Sequence, residues 1–329
     1  MGIAEKQQLG KSGIWVSRAG FGVHPIGPSR KNRPIEEAAE IMCYAYEQGI
    51  RFFDTAQFYQ TYHYLKAGLD LMRESSSFDE LPVISSKSLA EDYAGMKAAI
   101  EEACEKLNLE TIDIFLMHQM TPGDWEKRAG AWQALKDARN AGKVKAIGIS
   151  THHQDLAEQA ADVKELDVVF VMYNYSGLGI RRGKEAGSAE GMRQALKKCR
   201  AAGKGTYVMK IFGGGNLITD YQKAALHVFR DCRDLIPAAM IGFTSKQEID
   251  ELKELLQGEM DPAYNPPTAH MRLRVDREDC MGCGSCVRIC ASGAMHYSPI
   301  DGLAEIDYEK CVSCNYCAIA CPERAIVMW

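Results

Sequence analysis

Over the first 258 positions, short apolar runs alternate with longer amphipathic ones. Eight of the short runs are rich in β-branched and aromatic residues and have the length of buried strands: 17–23, 50–55, 82–87, 112–118, 144–150, 168–174, 206–212 and 238–243. Between them, apolar residues recur at helical spacing over 34–48, 92–107, 124–141, 154–163, 188–202, 220–233 and 245–257, and 61–73 fills the remaining slot. The first of these is the most sharply bounded, with Pro34 in its opening turn and Gly49 just past its end. Eight strands alternating with eight helices predict an α/β fold of the (β/α)8 TIM-barrel class. An open doubly wound sheet is the weaker alternative, because no Gly-x-Gly-x-x-Gly follows the first strand. Two further apolar pieces, Gln8-Leu9 and 14–16, bracket the segment from Gly10 to Gly13 and predict a hairpin closing the bottom of the barrel.

The pattern breaks after 258. Residues 259–272 hold Asp261-Pro262 and Pro266-Pro267 with no periodicity, which reads as a linker between a barrel (1–258) and a small terminal domain (273–329). That domain is an internal repeat. Residues 275–297 and 306–328 share an apolar start, acidic residues, three closely spaced cysteines, a fourth, then Gly293-Ala294 or Arg324-Ala325-Ile326. Units of this size bury little core unaided and need a staple. The cysteines supply one: Cys280-x2-Cys283-x2-Cys286-x3-Cys290 and Cys311-x2-Cys314-x2-Cys317-x3-Cys321-Pro322. This spacing resembles the bacterial two-cluster ferredoxin. The resemblance implies a small ferredoxin-like α+β domain with two 4Fe–4S clusters in crossed ligation. One cluster would take Cys280, Cys283, Cys286 and Cys321, the other Cys311, Cys314, Cys317 and Cys290. Ala291 stands where the second run has Pro322. Proline is not a ligand, so the change bears on local backbone and solvent access.

Composition narrows the function classes. With 46% apolar and 25% charged residues among 329, the chain is an ordinary globular protein. A net charge of −5 without a long basic run argues against nucleic acid and anionic membrane surfaces as partners. The opening MGIAEKQQLG has no apolar core, and no stretch approaches the ~18 apolar residues of a membrane span. Eight of twelve cysteines lie at metal-ligand spacing, so a reducing, cytoplasmic setting is expected. Cys43, Cys104, Cys199 and Cys232 fall in helical patterns and read as small buried hydrophobes.

In such a barrel, chemistry gathers at the C-terminal strand ends. Strand two ends in Asp54-Thr55-Ala56 with Tyr59 following, strand three in Lys87 and strand four in His118. The flanking segments are Gln48-Gly49-Ile50-Arg51-Phe52-Phe53-Asp54-Thr55-Ala56 and Gly142-Lys143-Val144-Lys145-Ala146-Ile147-Gly148-Ile149-Ser150. These four residues and both segments resemble the aldo-keto reductase family, and the likeness covers nearly all of 7–258. It implies a catalytic set of Asp54, Tyr59, Lys87 and His118. Reducing a carbonyl needs a proton for its oxygen, and a free phenol with a pKa near ~10 is poorly matched to neutral pH. Lys87 beside Tyr59 is expected to lower that pKa, Asp54 to balance Lys87, and His118 to orient the carbonyl oxygen or relay its proton.

The family's nicotinamide contacts are less well kept. Ser150 is in place, but Thr151 stands where asparagine is usual. Counting back from Asn174 puts Phe170 where glutamine is expected, and Met209, followed by Lys210, replaces the stacking aromatic. Ser245 and Glu248 occupy positions usually basic for a 2′-phosphate, with Lys246 between them, which favours NAD over NADP. The run Gly213-Gly214-Gly215-Asn216 has backbone N–H groups able to cradle a diphosphate. His152-His153 is too closely spaced to converge on one ion and reads as placing one ring toward substrate.

Hydride transfer moves two electrons and each cluster passes one, so the two modules do not couple directly. A flavin could mediate and is not excluded by any motif. Three readings follow. The first is a nicotinamide-dependent enzyme acting on a small carbonyl or alcohol, whose clusters serve a redox partner protein. The second is a barrel that has lost nicotinamide and feeds single electrons to its substrate. The third is a non-catalytic electron-transfer subunit, against which the tetrad counts.

Overall fold

The computed structural model describes residues 2–267, 271–312 and 314–328. Eight parallel strands close into a barrel. In chain order these are Ala19–Gly22, Phe52–Asp54, Val83–Ser88, Ile112–Met117, Val144–Thr151, Val168–Met172, Gly205–Met209 and Ala238–Ile241, referred to below as strands one to eight. Two packed layers result. Phe52, Ile114, Leu116, Val168, Phe170 and Tyr207 fill the barrel's interior, while outward-facing Phe21, Phe53, Phe115 and Ile147 meet the helices. The expected hairpin forms from Lys6–Gln8 and Trp15–Ser17, and Leu9, Ile14 and Val16 plug the barrel floor. Gly10 permits the close approach: a Cβ there would lie 2.4 Å from the backbone of Lys204 and Gly205.

Several elements differ from the sequence pattern. The helix expected over 124–141 divides into Asp124–Lys127 and Ala129–Asn140. At the break, the buried Arg128 side chain donates to the carbonyls of His118 at 2.8 Å and Ser88 at 3.0 Å. Those bonds brace the ends of strands three and four and outweigh one turn of helix. The stretch 220–233 becomes a helix Tyr221–Leu226 continued by a wider turn His227–Asp231. A small hairpin, Arg181–Arg182 with Glu185–Ala186, has too little apolar content to be read from sequence. The segment after 258 packs on the barrel, since Gln222 donates to the carbonyls of Asp261 and Tyr264, both at 2.8 Å.

The terminal domain repeats one unit twice. Leu273–Val275 pairs antiparallel with Ile326–Met328, and Met295–Tyr297 with Ala304–Ile306. Two five-residue helices, Ser285–Ile289 and Tyr316–Ala320, carry the third cysteine of each run. Leu273, Met295, Ile306, Ala318 and Ile326 form its core, together with Cys286, Cys317 and Cys321.

This domain sits over the C-terminal mouth of the barrel. Met328 N donates to Gly214 O at 3.0 Å, and Asn216 Nδ2 to Ile326 O at 3.0 Å. Arg181 lies 3.7 Å from Glu323. Arg30 bonds Asp276, while Asp279 accepts from Gln119 and Lys210, each at 3.1 Å. Every barrel partner in these contacts lies in a loop that follows a strand's C-terminal end.

Candidate active site at the barrel mouth

Strand two ends on Asp54, and the short turn Gln57–Tyr59 then lifts Tyr59 over the barrel axis. Lys87 projects from strand three. Its ammonium donates to Asp54 Oδ1 at 2.5 Å and to the Thr55 carbonyl at 2.8 Å, and it lies 4.9 Å from the Tyr59 ring centre. His118 follows strand four, and its Nε2 shares a hydrogen bond of 3.3 Å with the Tyr59 hydroxyl. The four residues expected from the sequence therefore meet at one place.

Their electrostatics differ from the expectation in one respect. Burial opposes both charges of the Asp54–Lys87 pair, raising the carboxyl and lowering the ammonium, so each ion is retained only because the other is present. Lys87 is thus committed to Asp54 and lies over the face of the phenol ring. Burial, followed by the charges of Asp54, Asp279 and Glu278, pushes the Tyr59 phenol well above its usual value. Tyr59 is held as an acid. Burial and then Lys87 push His118 well below the usual range, so its ring is neutral.

Sequence reasoning missed the roof of this site. The His24 ring, from the loop after strand one, stacks on Tyr59 with centroids 3.9 Å apart and planes within 1°. Burial and the neighbouring Arg30 lower its pKa to about 2. Glu278 lies 3.5 Å from His24 Nε2. Burial works against the Asp279 carboxylate, but Lys210 and His152 outweigh it and hold its pKa below the usual value. His152 is lowered to about 3 by burial and Lys210. His153 turns to Asp155 instead, 3.8 Å away. The signal available in the sequence was the acidic run Asp276, Glu278, Asp279 immediately before Cys280, whose partners are scattered over three distant loops.

One of the two expected cysteine sets is brought together around a cavity. Cys280, Cys283, Cys286 and Cys321 line one small cavity with Gly284, Ala304 and Ala325. Among the described residues no three of His, Cys, Asp and Glu converge as tightly as ligands of a single ion. A cube of iron and sulfide has sulfur donors spread around a volume instead, as these are. The donor set fits such a group. Burial and then Cys321 raise the Cys286 thiol. Burial, with Cys311 and Cys314 adding to it, pushes Cys317 up to about 11. Crowded thiolates of this kind are relieved by a cationic core. The residues flanking Cys280 and Cys321 make the contacts with the barrel, so this first set faces the mouth.

A family model described as the aldo/keto reductase family matches residues 19–267. The chain belongs to that family. A second model, a 4Fe-4S dicluster domain, matches residues 279–326. Glyoxal reductase of Bacillus subtilis (strain 168) is 33% identical over 135 residues, covering 40% of this chain and 47% of that protein. D-threo-aldose 1-dehydrogenase of a Pseudomonas species is 25% identical over 241 residues, covering 63% and 69%. The chain thus spans about half the length of the first of these curated relatives. An aldo-keto reductase from Bacillus halodurans, solved in its holo form, superposes with a TM-score of 0.63 at 16% identity, over 79% of this chain and 93% of that one. The Bombyx mori enzyme, solved in complex with NADP, gives 0.59 at 19% identity, over 78% and 89%. At such identities the likeness speaks for the fold.

Relative to the aldo/keto reductase pattern, the cofactor positions are unevenly engaged. A cavity of about 580 Å³ runs from Asp54 and Tyr59, past Phe170, Met209 and Lys210, to Thr244, Ser245, Glu248 and Glu251. Ser150 and Thr151 are buried outside its lining. Ser150 accepts from Gln119 N at 3.0 Å, and Thr151 donates to Met120 O at 2.8 Å. Asn174 Nδ2 is taken by the Leu178 carbonyl at 2.8 Å. Gly214 and Gly215 line the cavity, but a Cβ on Gly215 would lie 1.9 Å from Met328 O, so the terminal strand rests directly on this loop. Gly213 packs against Leu178 and Leu217 instead. Lys246, expected at the adenosine end, points outward to Glu40 at 3.3 Å. Its neighbours leave carboxylates there, with Glu248 accepting from Thr244 N at 2.5 Å. Phe170 and Met209 give the cavity an apolar floor, and Glu248 and Glu251 stand at its far end. No helix among the described residues is long and apolar enough to cross a membrane.

Proposed function

We propose that the protein is an oxidoreductase that interconverts a small carbonyl compound and its alcohol under Tyr59 and exchanges electrons through two 4Fe–4S clusters. The observation that carries this reading is that the Asp54–Tyr59–Lys87–His118 set and the cysteine-bearing domain share one mouth. In the reducing direction Tyr59 donates its proton to the carbonyl oxygen as the carbon gains a hydride. His118 sits against the same hydroxyl and orients the oxygen. Lys87, fixed by Asp54, lies beneath the ring and stabilises the phenolate left behind. A bound nicotinamide would supply the hydride, and Glu248 and Glu251 in the lining favour NAD over NADP. The clusters, held by Cys280, Cys283, Cys286 and Cys321 and by Cys290, Cys311, Cys314 and Cys317, would pass electrons singly to or from a redox partner protein. Such thiolate ligation belongs to a reducing compartment.

Turnover of a neutral aldehyde by a Tyr59→Phe variant tests the catalytic role. A loss of ~100-fold or more is expected, and unchanged turnover would remove the tetrad from the mechanism. Tryptophan fluorescence titrations of the anaerobically reconstituted protein with NADH and NADPH test the cofactor, with NADH expected to bind more tightly.

One observation favours a second reading, in which nicotinamide affinity is lost and electrons reach the substrate one at a time. Ser150, Thr151 and Asn174 are spent on the barrel's own backbone. Failure of both dinucleotides to bind would select it. Flavin-like absorbance after the clusters are bleached would instead identify a mediator between the one- and two-electron steps.

A further inference from the structure

Without its terminal domain, the barrel mouth would present cations. Lys210 and Arg30 both line the cavity that contains Tyr59. Lys210 is held there in left-handed backbone (φ 58), uncommon for a residue with a side chain. Such a rim would attract substrates bearing a carboxylate or phosphate. The terminal domain answers these charges with its own. Asp276 bonds Arg30. Asp279 sits 3.1 Å from Lys210 Nζ and, through its other oxygen, 3.1 Å from Gln119 Nε2. Glu278 adds a third carboxylate, 3.5 Å from His24. The terminal domain therefore sets carboxylates on Arg30, Lys210 and His24, and an anionic substrate drawn to Lys210 meets Asp279 already bonded there, where the bare barrel would offer an open cation.

We propose that Asp279 is a specificity-determining residue of the substrate site: by occupying Lys210 it makes the barrel select neutral carbonyl compounds and turn away those carrying a carboxylate. This rests on the reading of the cavity under Tyr59 as the substrate site. An incoming carboxylate has to displace Asp279 from both Lys210 and Gln119 or lie beside it, whereas a neutral carbonyl does neither. The residue comes from the cluster domain, so the part of the chain that handles electrons also shapes what the barrel accepts.

Calorimetry on the full-length, cluster-loaded protein with benzoate and benzamide tests this, because the two share a ring and differ in charge. Asp279→Asn is expected to strengthen benzoate ~10-fold while benzamide changes less than ~2-fold. Adding Lys210→Gln to that variant is expected to abolish the gain. Lys210→Gln alone leaves the Asp279 carboxylate without its cation beside the position that Lys210 holds in the lining, and is expected to favour the cation benzamidine over benzamide. An unchanged benzoate-to-benzamide preference in Asp279→Asn, including no benzoate binding at all, overturns the proposal. So does a gain that persists once Lys210 is removed. Benzaldehyde turnover by the unaltered protein is a separate measurement, so failure of the catalytic reading and failure of this one are told apart.

Discussion

The barrel buries Phe21, Phe53, Phe115, Tyr46 and Leu135 in a continuous layer between strands and helices, whereas the terminal domain puts Cys286, Cys317 and Cys321 into a core with Leu273, Met295, Ala318 and Ile326. The barrel's strands are all hydrogen-bonded to two neighbours. The terminal domain has two separate pairs of three-residue strands and two five-residue helices, lengths at which neither element is stable in water alone. One region is held by an extended apolar layer, and the other has a small core in which cysteines take the place of larger apolar side chains. The barrel mouth is lined by both, so its charge balance depends on the region with the weaker intrinsic fold.

The comparison breaks most visibly if iron is removed. Anaerobic chelation is expected to abolish amide-exchange protection across 273–328 while the eight barrel strands keep theirs. Protection that survives chelation in the strand pair Leu273–Val275 and Ile326–Met328 would mean the domain needs no clusters. Next in size is Lys87→Met, which strands the Asp54 carboxylate in a dry interior. A loss of ~3–5 kcal/mol in barrel stability is expected, read by guanidinium unfolding, and a further Asp54→Asn change should restore part of it. Arg30→Met acts on the seam between the regions. Losing its largely buried bond to Asp276 should cost ~1.5–3 kcal/mol of docking, seen as faster exchange around 276–279 with the barrel strands unaltered.

How much of this was legible in the sequence follows the same division. The eight strands and the tetrad were readable because each signal is local: a β-rich run ends, and Asp54, Lys87 or His118 stands at its end. The cysteine spacing was readable because it is itself local, and the four cysteines of the first expected set line one cavity. What escaped was everything made by long-range pairing. Arg128 interrupts a helix by reaching the ends of strands three and four, and Lys246 turns outward because Glu40 is near. Asp279 finds Lys210 and Gln119 across 69 and 160 positions of chain. The lowered pKa expected for Tyr59 failed first because the phenol is buried and Asp54 opposes its charge, and further because Asp279 and Glu278 arrive from the far end of the sequence.

The smallest effect concerns His24, the ring that roofs Tyr59. Burial and Arg30 hold it neutral in the folded protein, with a pKa lowered to about 2, while in the unfolded chain it titrates near ~6.5. Its folded pKa is depressed, so below ~6.5 the unfolded chain binds a proton that the folded protein refuses. Stability is therefore full above that pH and falls by ~1.4 kcal/mol per pH unit on acidification. His152, lowered to about 3, acts in the same direction and over the same window. Acid damage to the clusters is common to any pair of variants, so the informative quantity is a difference. Between about pH 7 and about pH 5 the unaltered protein should lose ~2 kcal/mol more than His24→Gln. Equal losses would mean that His24 takes up a proton in the folded state, where Glu278 stands 3.5 Å from its Nε2.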